Sequence, residues 1–479
     1  MQKRFFLILT HSILFLFLVT GIYGQSAPEN STPAIDELLK GYVANDVQLQ
    51  ELKIKVQEAA LAHQKTAIQY GINVQFNSGS VSYTTGQGSF VNSISFSPSF
   101  TIEIPSLSNT ELTVSAPVSQ GEVTKTSVGV SLDLLPSSVE KNKLALEKAE
   151  RAYLDACSNV ETRLFTVEIA FWTELKSLYS SAAAVSDAAD ELITQQITFQ
   201  GIEAQGYSSA SSKYRSGQME LKTKEHTLEE KERLLQMELS KFSLDCGLEA
   251  TVLAELPPLD SDLESLVLLT ITDFDSDTYK ELESTLWTNQ YNQRVRDSDT
   301  DFSLSLEGGL EHVNSTEKNT VNAGLSATYK GIETGLGVSV PLDSGTKNPS
   351  LTFSLSWDLN STKTESLSAK EKEYEAKLEE LSIVSAQKTY EESVQNKITE
   401  KVNLEWKLAT QQEEYELYKE LYADSSSWYD RGLISYTEYL QSKNNYEQSY
   451  YNLQIVYLER KVYNLEISKL FIGEEDEEK

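Results

Sequence analysis

Residues able to do chemistry are scarce in this chain. It holds 4 His, 2 Cys and 3 Met in 479 residues, little material for a metal centre or for His-driven proton transfer. No Ser/His/Asp order, metal-ligand spacing or phosphate-cradling glycine loop occurs. Neither an enzyme nor a cofactor is expected. The charge balance, 72 Asp and Glu against 41 Lys and Arg for a net −31, argues against a nucleic-acid partner. What does recur is a Tyr-x-x-Gly motif, at Tyr214 to Gly217 and at Tyr429 to Gly432, each interrupting a long helical pattern. Glycine suits a tight helix–helix turn because it tolerates positive φ.

The elements that would position these motifs can be read in order. Lys3 and Arg4, then the apolar run Phe5 to Val19, then Gly21 and Gly24, have the layout of a secretory signal peptide over residues 1–24. No later stretch approaches the ~18 apolar residues of a spanning helix; Leu266 to Leu269 comes nearest. Residues 25–70 read as a helix, with Leu38, Leu49, Leu52, Val56 and Ala60 on one face. Residues 71–136 alternate as up to four strands, in which Ile94, Phe96, Phe100, Ile102 and Ile104 hold one parity and Ser, Thr and Glu the other. A long helical hairpin occupies 137–247, and Pro257 and Pro258 mark a linker at 248–265.

The programme then runs again: a helix at 266–298, strands at 299–360, a hairpin at 361–473 and an acidic tail at 474–479. Leu52, Val56, Ile72, Val74 and Phe76 recur 230 residues on, as Leu282, Leu286, Phe302, Leu304 and Leu306. At the hairpins the offset falls to 215, which pairs Tyr207, Ser211, Ser212, Tyr214 and Gly217 with Tyr422, Ser426, Ser427, Tyr429 and Gly432. A tandem duplication follows. The glycine spacings, Gly217 to Gly247 against Gly432 to Gly473, imply a first return helix about three turns shorter than the second.

Strands with one apolar and one Ser/Thr/Gly face suit a barrel wall or a soluble sandwich equally. Export, and a helix from Ser361 toward Tyr429 extending about 100 Å, favour the barrel with a column attached. Tyr and Leu stripes on that helix read as coiled-coil packing, with a stacking surface for cargo as the alternative.

With these elements in place the chain resembles the TolC family of outer-membrane efflux ducts, most specifically through Tyr429-Asp430-Arg431-Gly432-Leu433, Tyr439-Leu440, Leu465, Leu470 and Gly473. The resemblance implies a homotrimer, a shared barrel in outer-membrane lipid and a periplasmic α-helical coiled-coil tunnel. It implies docking of a periplasmic adaptor, served by an inner-membrane transporter, at turns carrying Gly217 and Gly432, Leu433 and Ser435. It places a tip latch at Tyr214 and Tyr429, with Thr223 where the acidic partner is expected, and an aperture acid at Glu438; Gln441 replaces a second acid and Gln218 a Leu. A plain αα-hairpin turn explains the glycines equally well, and solvation on a helix face explains Glu438. Cys157 and Cys246 would lie roughly 40 Å apart along the column, too far for a disulfide.

Strand number separates the alternatives. Two strands per copy, the family's pattern, would make oligomerisation compulsory, whereas eight per chain could close alone. The rivals are therefore a monomeric outer-membrane porin or envelope spacer with a periplasmic coiled coil, and a secreted adhesin with β-sandwich modules.

Overall fold

A computed structural model describes residues 33–84, 93–119, 122–299, 302–343 and 348–472. The signal peptide at 1–24, Gly473 and the tail at 474–479 lie outside the described residues. The helix expected over 25–70 is, among the described residues, two helices, α1 (Ile35–Ala44) and α2 (Val47–Gln69). The break is at Asp46, whose backbone is extended and whose carboxylate caps α2 by accepting the Leu49 N–H at 2.6 Å. Arg163 holds the same carboxylate, and its hydrogen bond keeps the Asp46 pKa below the usual range.

The first repeat's strands are β1 (Asn73–Asn77), β2 (Ser82–Thr84), β3 (Ser93–Phe96), β4 (Ser99–Ile104), β5 (Thr110–Ser115), β6 (Val118–Ser119), β7 (Glu122–Val123) and β8 (Lys125–Asp133). The second repeat has β9 (Phe302–Val313), β10 (Lys318–Tyr329), β11 (Ile332–Pro341) and β12 (Ser350–Trp357). One sheet runs β1-β4-β5-β8-β9-β10-β11-β12, every neighbour antiparallel, and β2-β3-β6-β7 form a smaller sheet. The span 73–84 matches β9 in length, 93–104 matches β10 and 110–119 matches β11; these first-repeat strands are second-repeat strands interrupted. Two of the interruptions carry Pro98 and Pro117, which cannot donate to a ladder, and each proline carbonyl accepts a bond across the bend, from Ala116 and Thr124. Each repeat is thus a four-strand meander, and the chain supplies eight strands to the main sheet.

The helical part contains α3 (Pro136–Ala204), α4 (Ser212–Asp245), the single turn α5 (Ser261–Glu264), α6 (Lys280–Ser298), α7 (Leu359–Asp430) and α8 (Tyr436–Leu470). At 69 and 72 residues, α3 and α7 extend about 100 Å. The return helices have 34 and 35 residues, which corrects the expected three-turn difference: Gly217 does not mark the start of α4, and Gly247 lies beyond its end. The long helices form a layer in the order α4-α3-α8-α7. No helix among the described residues is long and apolar enough to cross a membrane.

The core sits partway up this layer. Phe171, Leu175 and Tyr179 of α3 pack with Leu239 and Phe242 of α4, Leu453 and Leu458 of α8, and Ile35 and Leu38 of α1. The segment between α4 and α6 straps across them. Leu253 and Leu263 insert into the core, Tyr179 donates to the Pro257 carbonyl at 2.8 Å, and Asn464 donates to the Val267 carbonyl at 2.8 Å. Gly41 lets α1 approach so closely that a Cβ there would lie 2.1 Å from the Cys246 carbonyl oxygen. Cys157 and Cys246 are free thiols, and burial pushes Cys246 up to about 12.

Candidate functional site

Two regions could carry a duct's work: the ends of the hairpins and the faces of the sheet. At the second hairpin, Gly432 follows α7 with φ 71°, and its N–H bonds the Tyr429 carbonyl at 2.8 Å. The Leu433 N–H bonds the Trp428 carbonyl at 2.8 Å, closing a turn that only a residue tolerant of positive φ makes without strain. Leu433 stands 67% exposed at the apex. Ser435 caps α8, accepting from the Glu438 N–H at 3.2 Å while the Glu438 carboxylate accepts from the Ser435 N–H at 2.8 Å. That backbone bond, and the one from the Ser435 hydroxyl, hold the Glu438 carboxyl below its usual pKa. Glu438 therefore has a capping role within the chain.

The first hairpin corrects the reading of Gly217. That residue lies inside α4, buried, where a Cβ would come within 2.7 Å of Ile202 Cδ1 and 3.2 Å of Phe199 Cδ2. Close packing of α4 on α3 explains the glycine, not a turn. The turn spans residues 205–211 and uses Gly206, at φ 73°, with Ser211 capping α4 through the Tyr214 N–H. Ser211 and Ser435 are the matching caps, 224 residues apart, so the 215-residue match joins unequal positions.

The latch residues are not brought together. Tyr214 is on α4, donating to Glu203 at 3.3 Å and edge-on to Phe199 at 5.1 Å. Tyr429 ends α7, with α3 and α8 lying between the two. Thr223 donates to the Met219 carbonyl of its own helix at 2.9 Å. Tyr429 instead joins a ladder that sequence reading found in part. Tyr415, Tyr422 and Tyr429 of α7 interleave with Tyr436, Tyr439, Tyr446 and Tyr450 of α8, including a parallel stack of Tyr422 on Tyr446 at 5.2 Å and of Tyr429 on Tyr439 at 5.0 Å. The hydroxyls of Tyr422 and Tyr439 share a 3.2 Å hydrogen bond, the main reason the Tyr422 phenol is pushed up to about 12, with burial second. Its seven-residue spacing on α7 was readable; the α8 partners needed the hairpin's register.

The sheet separates two chemistries. Phe100, Leu112, Val128, Leu310, Val321, Leu336 and Phe353 share one face, and Phe76 (75%), Phe353 (69%) and Trp357 (60%) are largely exposed. The other face is mostly Ser, Thr, Asn, Gly and Glu, with Lys125, Asp133 and Lys318 among them. A hollow on that side is lined from Glu111 on β5 across to Thr352 on β12, so the sheet curls with its polar face inward. One transverse row on it reads Glu103, Glu111, Ser131, Glu307, Gly324, Gly337 and Thr352. Carboxylates opposite one another, as Glu103 and Glu111 are, are tolerated where water can solvate them. Among the described residues no group of His, Cys, Asp and Glu is arranged to hold a metal.

An inward-curling wall, apolar outside and polar inside, continued by hairpins about 100 Å long, defines the class: a strand wall on a helical column, the architecture that the TolC resemblance implies. Residues 38–264 match the TP096X N-terminal domain and residues 265–474 the TP096X C-terminal domain; the chain belongs to the TP096X family. No curated protein matches it. Among solved structures it is similar to the MtrE outer membrane channel of Neisseria gonorrhoeae in its open state, at 11% identity over 95% of both chains with a TM-score of 0.49. It is also similar to the Campylobacter jejuni CmeC outer membrane channel, at 13% identity over 95% of this chain and 92% of that one, TM-score 0.44. The Vibrio cholerae outer membrane protein VceC matches at 11% over 90% and 94%, TM-score 0.44. With TM-scores below 0.5 these likenesses carry no weight of their own.

Proposed function

We propose that copies of this chain assemble into a passive outer-membrane channel-tunnel, the export duct of a tripartite efflux or type I secretion system. The sheet supplies part of a barrel in outer-membrane lipid, and the hairpins supply a tunnel through the periplasm. The observation that carries this reading is the sheet's exposed apolar face, too large and continuous to be left in water. In a homotrimer, the tip turns at Gly432, Leu433 and Ser435 dock a periplasmic adaptor, together with the turn at 205–211 in place of Gly217. The free energy for export comes from an inner-membrane transporter. Glu438, Tyr214, Tyr429 and Thr223 lie near that tip and shape its aperture.

The rival is a one-chain barrel. Against it weigh the outer edges of β1 and β12, which have no partner strand among the described residues. The test is fractionation followed by planar-bilayer conductance of the purified protein. The duct reading expects outer-membrane recovery and stable channels, with Phe353→Arg failing to insert at a cost of about 2–4 kcal/mol at mid-bilayer. Full recovery in a soluble fraction would overturn it.

A further inference from the structure

The joint between sheet and helices holds a second hollow, on the opposite side of the sheet from the polar one. We propose that it seats one aminophospholipid of the periplasmic leaflet, with the acyl chains against Leu134 and Phe302 and the zwitterionic headgroup between Lys143 and Asp297. This rests on the outer-membrane reading and names a lipid partner for it.

Position comes first. Strand β8 ends at Asp133 and α3 begins at Pro136, while α6 ends at Ser298 and β9 begins at Phe302. Leu134 and Phe302 are therefore the outward residues of these strands nearest the helices. The Leu134 N–H bonds the Leu304 carbonyl at 2.8 Å, which carries the shared apolar parity of β8 and β9 down to the rim. The two residues are 45% and 39% exposed, and with Leu135 and Val139 they line a hollow of about 770 Å³. It opens on the apolar side of the sheet and not on the polar one. An apolar lining with a few polar groups at one end suits the headgroup and glycerol end of a lipid.

Charge then selects the headgroup. The helix side of the hollow carries Glu140, Lys143, Arg294 and Asp297, so its cations and anions balance. Arg294 is already shared between Glu140 at 2.6 Å and Glu147 at 2.5 Å. Lys143 lies 3.9 Å from Glu140, and its side chain stays 64% exposed. Asp297 makes no hydrogen bond or ion pair among the described residues. One loosely held cation and one spare anion remain, the complement of a phosphate and an ammonium on one headgroup. A purely anionic headgroup would satisfy Lys143 and set its charge against Asp297.

The test is lipid competition on the full chain, extracted in detergent from outer membranes. The protein is equilibrated with mixed micelles holding equal phosphatidylethanolamine and phosphatidylglycerol, and the lipid retained per chain is read by native mass spectrometry. One phosphatidylethanolamine per chain should be retained in preference. Asp297→Asn should shift the retained ratio toward phosphatidylglycerol by about two- to fivefold, the effect of one partly exposed charge. Leu134→Trp fills the hollow with a side chain that a lipid-facing surface tolerates, and should abolish the preference at unchanged native mass. Retention in the proportions of the micelle, unaltered in both variants, would overturn the lipid site while leaving the duct standing. Recovery of the chain in a soluble fraction would remove both.

Discussion

The two hairpins have nearly the same dimensions and both carry ion pairs between their arms, Lys407 with Glu459 and Lys397 with Glu466 in the second, but only one of them adds an aromatic ladder. The second is zipped by seven tyrosines, with the hydroxyls of Tyr415 and Tyr446, and of Tyr422 and Tyr439, facing each other. The first has no such ladder. Lys224 reaches Glu191 at 2.5 Å, Lys241 reaches Glu174 at 2.6 Å, Ser181 donates to Glu238 at 2.6 Å, and Gly217 lets the backbones close. Position in the layer explains the difference. Helix α3 lies between α4 and α8 and is ordered from both sides. Helix α7 packs mainly on α8, with α6 and the strap touching it nearer the sheet, and Trp406, Leu417, Leu421 and Trp428 on its far side are exposed. A helix with one main partner needs a strong contact with it, and stacked aromatics add roughly 0.5–1.5 kcal/mol per pair beyond area burial. The uncovered stripe on α7 is where a neighbouring copy would sit in a shared tunnel.

Breaking the ladder should have the largest effect. Tyr422→Ala with Tyr446→Ala removes both rings of the most nearly parallel stack and should cost about 2–4 kcal/mol, less than for fully buried aromatics because both rings are partly exposed. Hydrogen exchange should rise over residues 415–450 and stay unchanged over 191–226; a rise in both hairpins would mean they are one cooperative unit. An alkaline titration attacks the same ladder without mutation. The fold holds the Tyr422 phenol above its ordinary value of 10, so its contribution is complete below that pH and is lost as pH rises toward about 12. Tyrosinate absorbance that titrates fully near pH 10 would show the ladder open.

Gly217→Leu should push α4 off α3 at a cost of about 1–3 kcal/mol, seen as proteolysis within the first hairpin alone. Ser211→Ala and Ser435→Ala should each cost about 1 kcal/mol in thermal unfolding, equal losses marking the caps as equivalents. Smallest is Glu191→Gln, worth about 0.2–1 kcal/mol at low salt and nothing at high salt, since the Lys224 pair is partly exposed. A loss that persists at high salt would show the pair to be more than a screened surface contact.

The strands were legible because alternation is a local signal, and parity allowed up to four per repeat without fixing the number. The interruptions at Pro98 and Pro117 were not legible, because the apolar parity continues unbroken across both positions. Glycine misled because two physical needs share one residue type. Gly217 serves close packing, whereas Gly206 and Gly432 serve positive φ. Offset matching in a Ser- and Tyr-rich chain then aligned the wrong glycines. The caps were the better guide, since Ser435-x-x-Glu438 is itself a helix-start signature. Contacts such as Arg163 with Asp46, 117 residues apart, or Arg296 with Glu379, depend on how elements are stacked and leave no local trace.

The central claim is that one chain is a segment of a shared wall. Light scattering of the detergent-extracted protein tests it most directly. The expected result is a three-chain mass. A one-chain mass would contradict the shared wall and leave a self-closed barrel in its place.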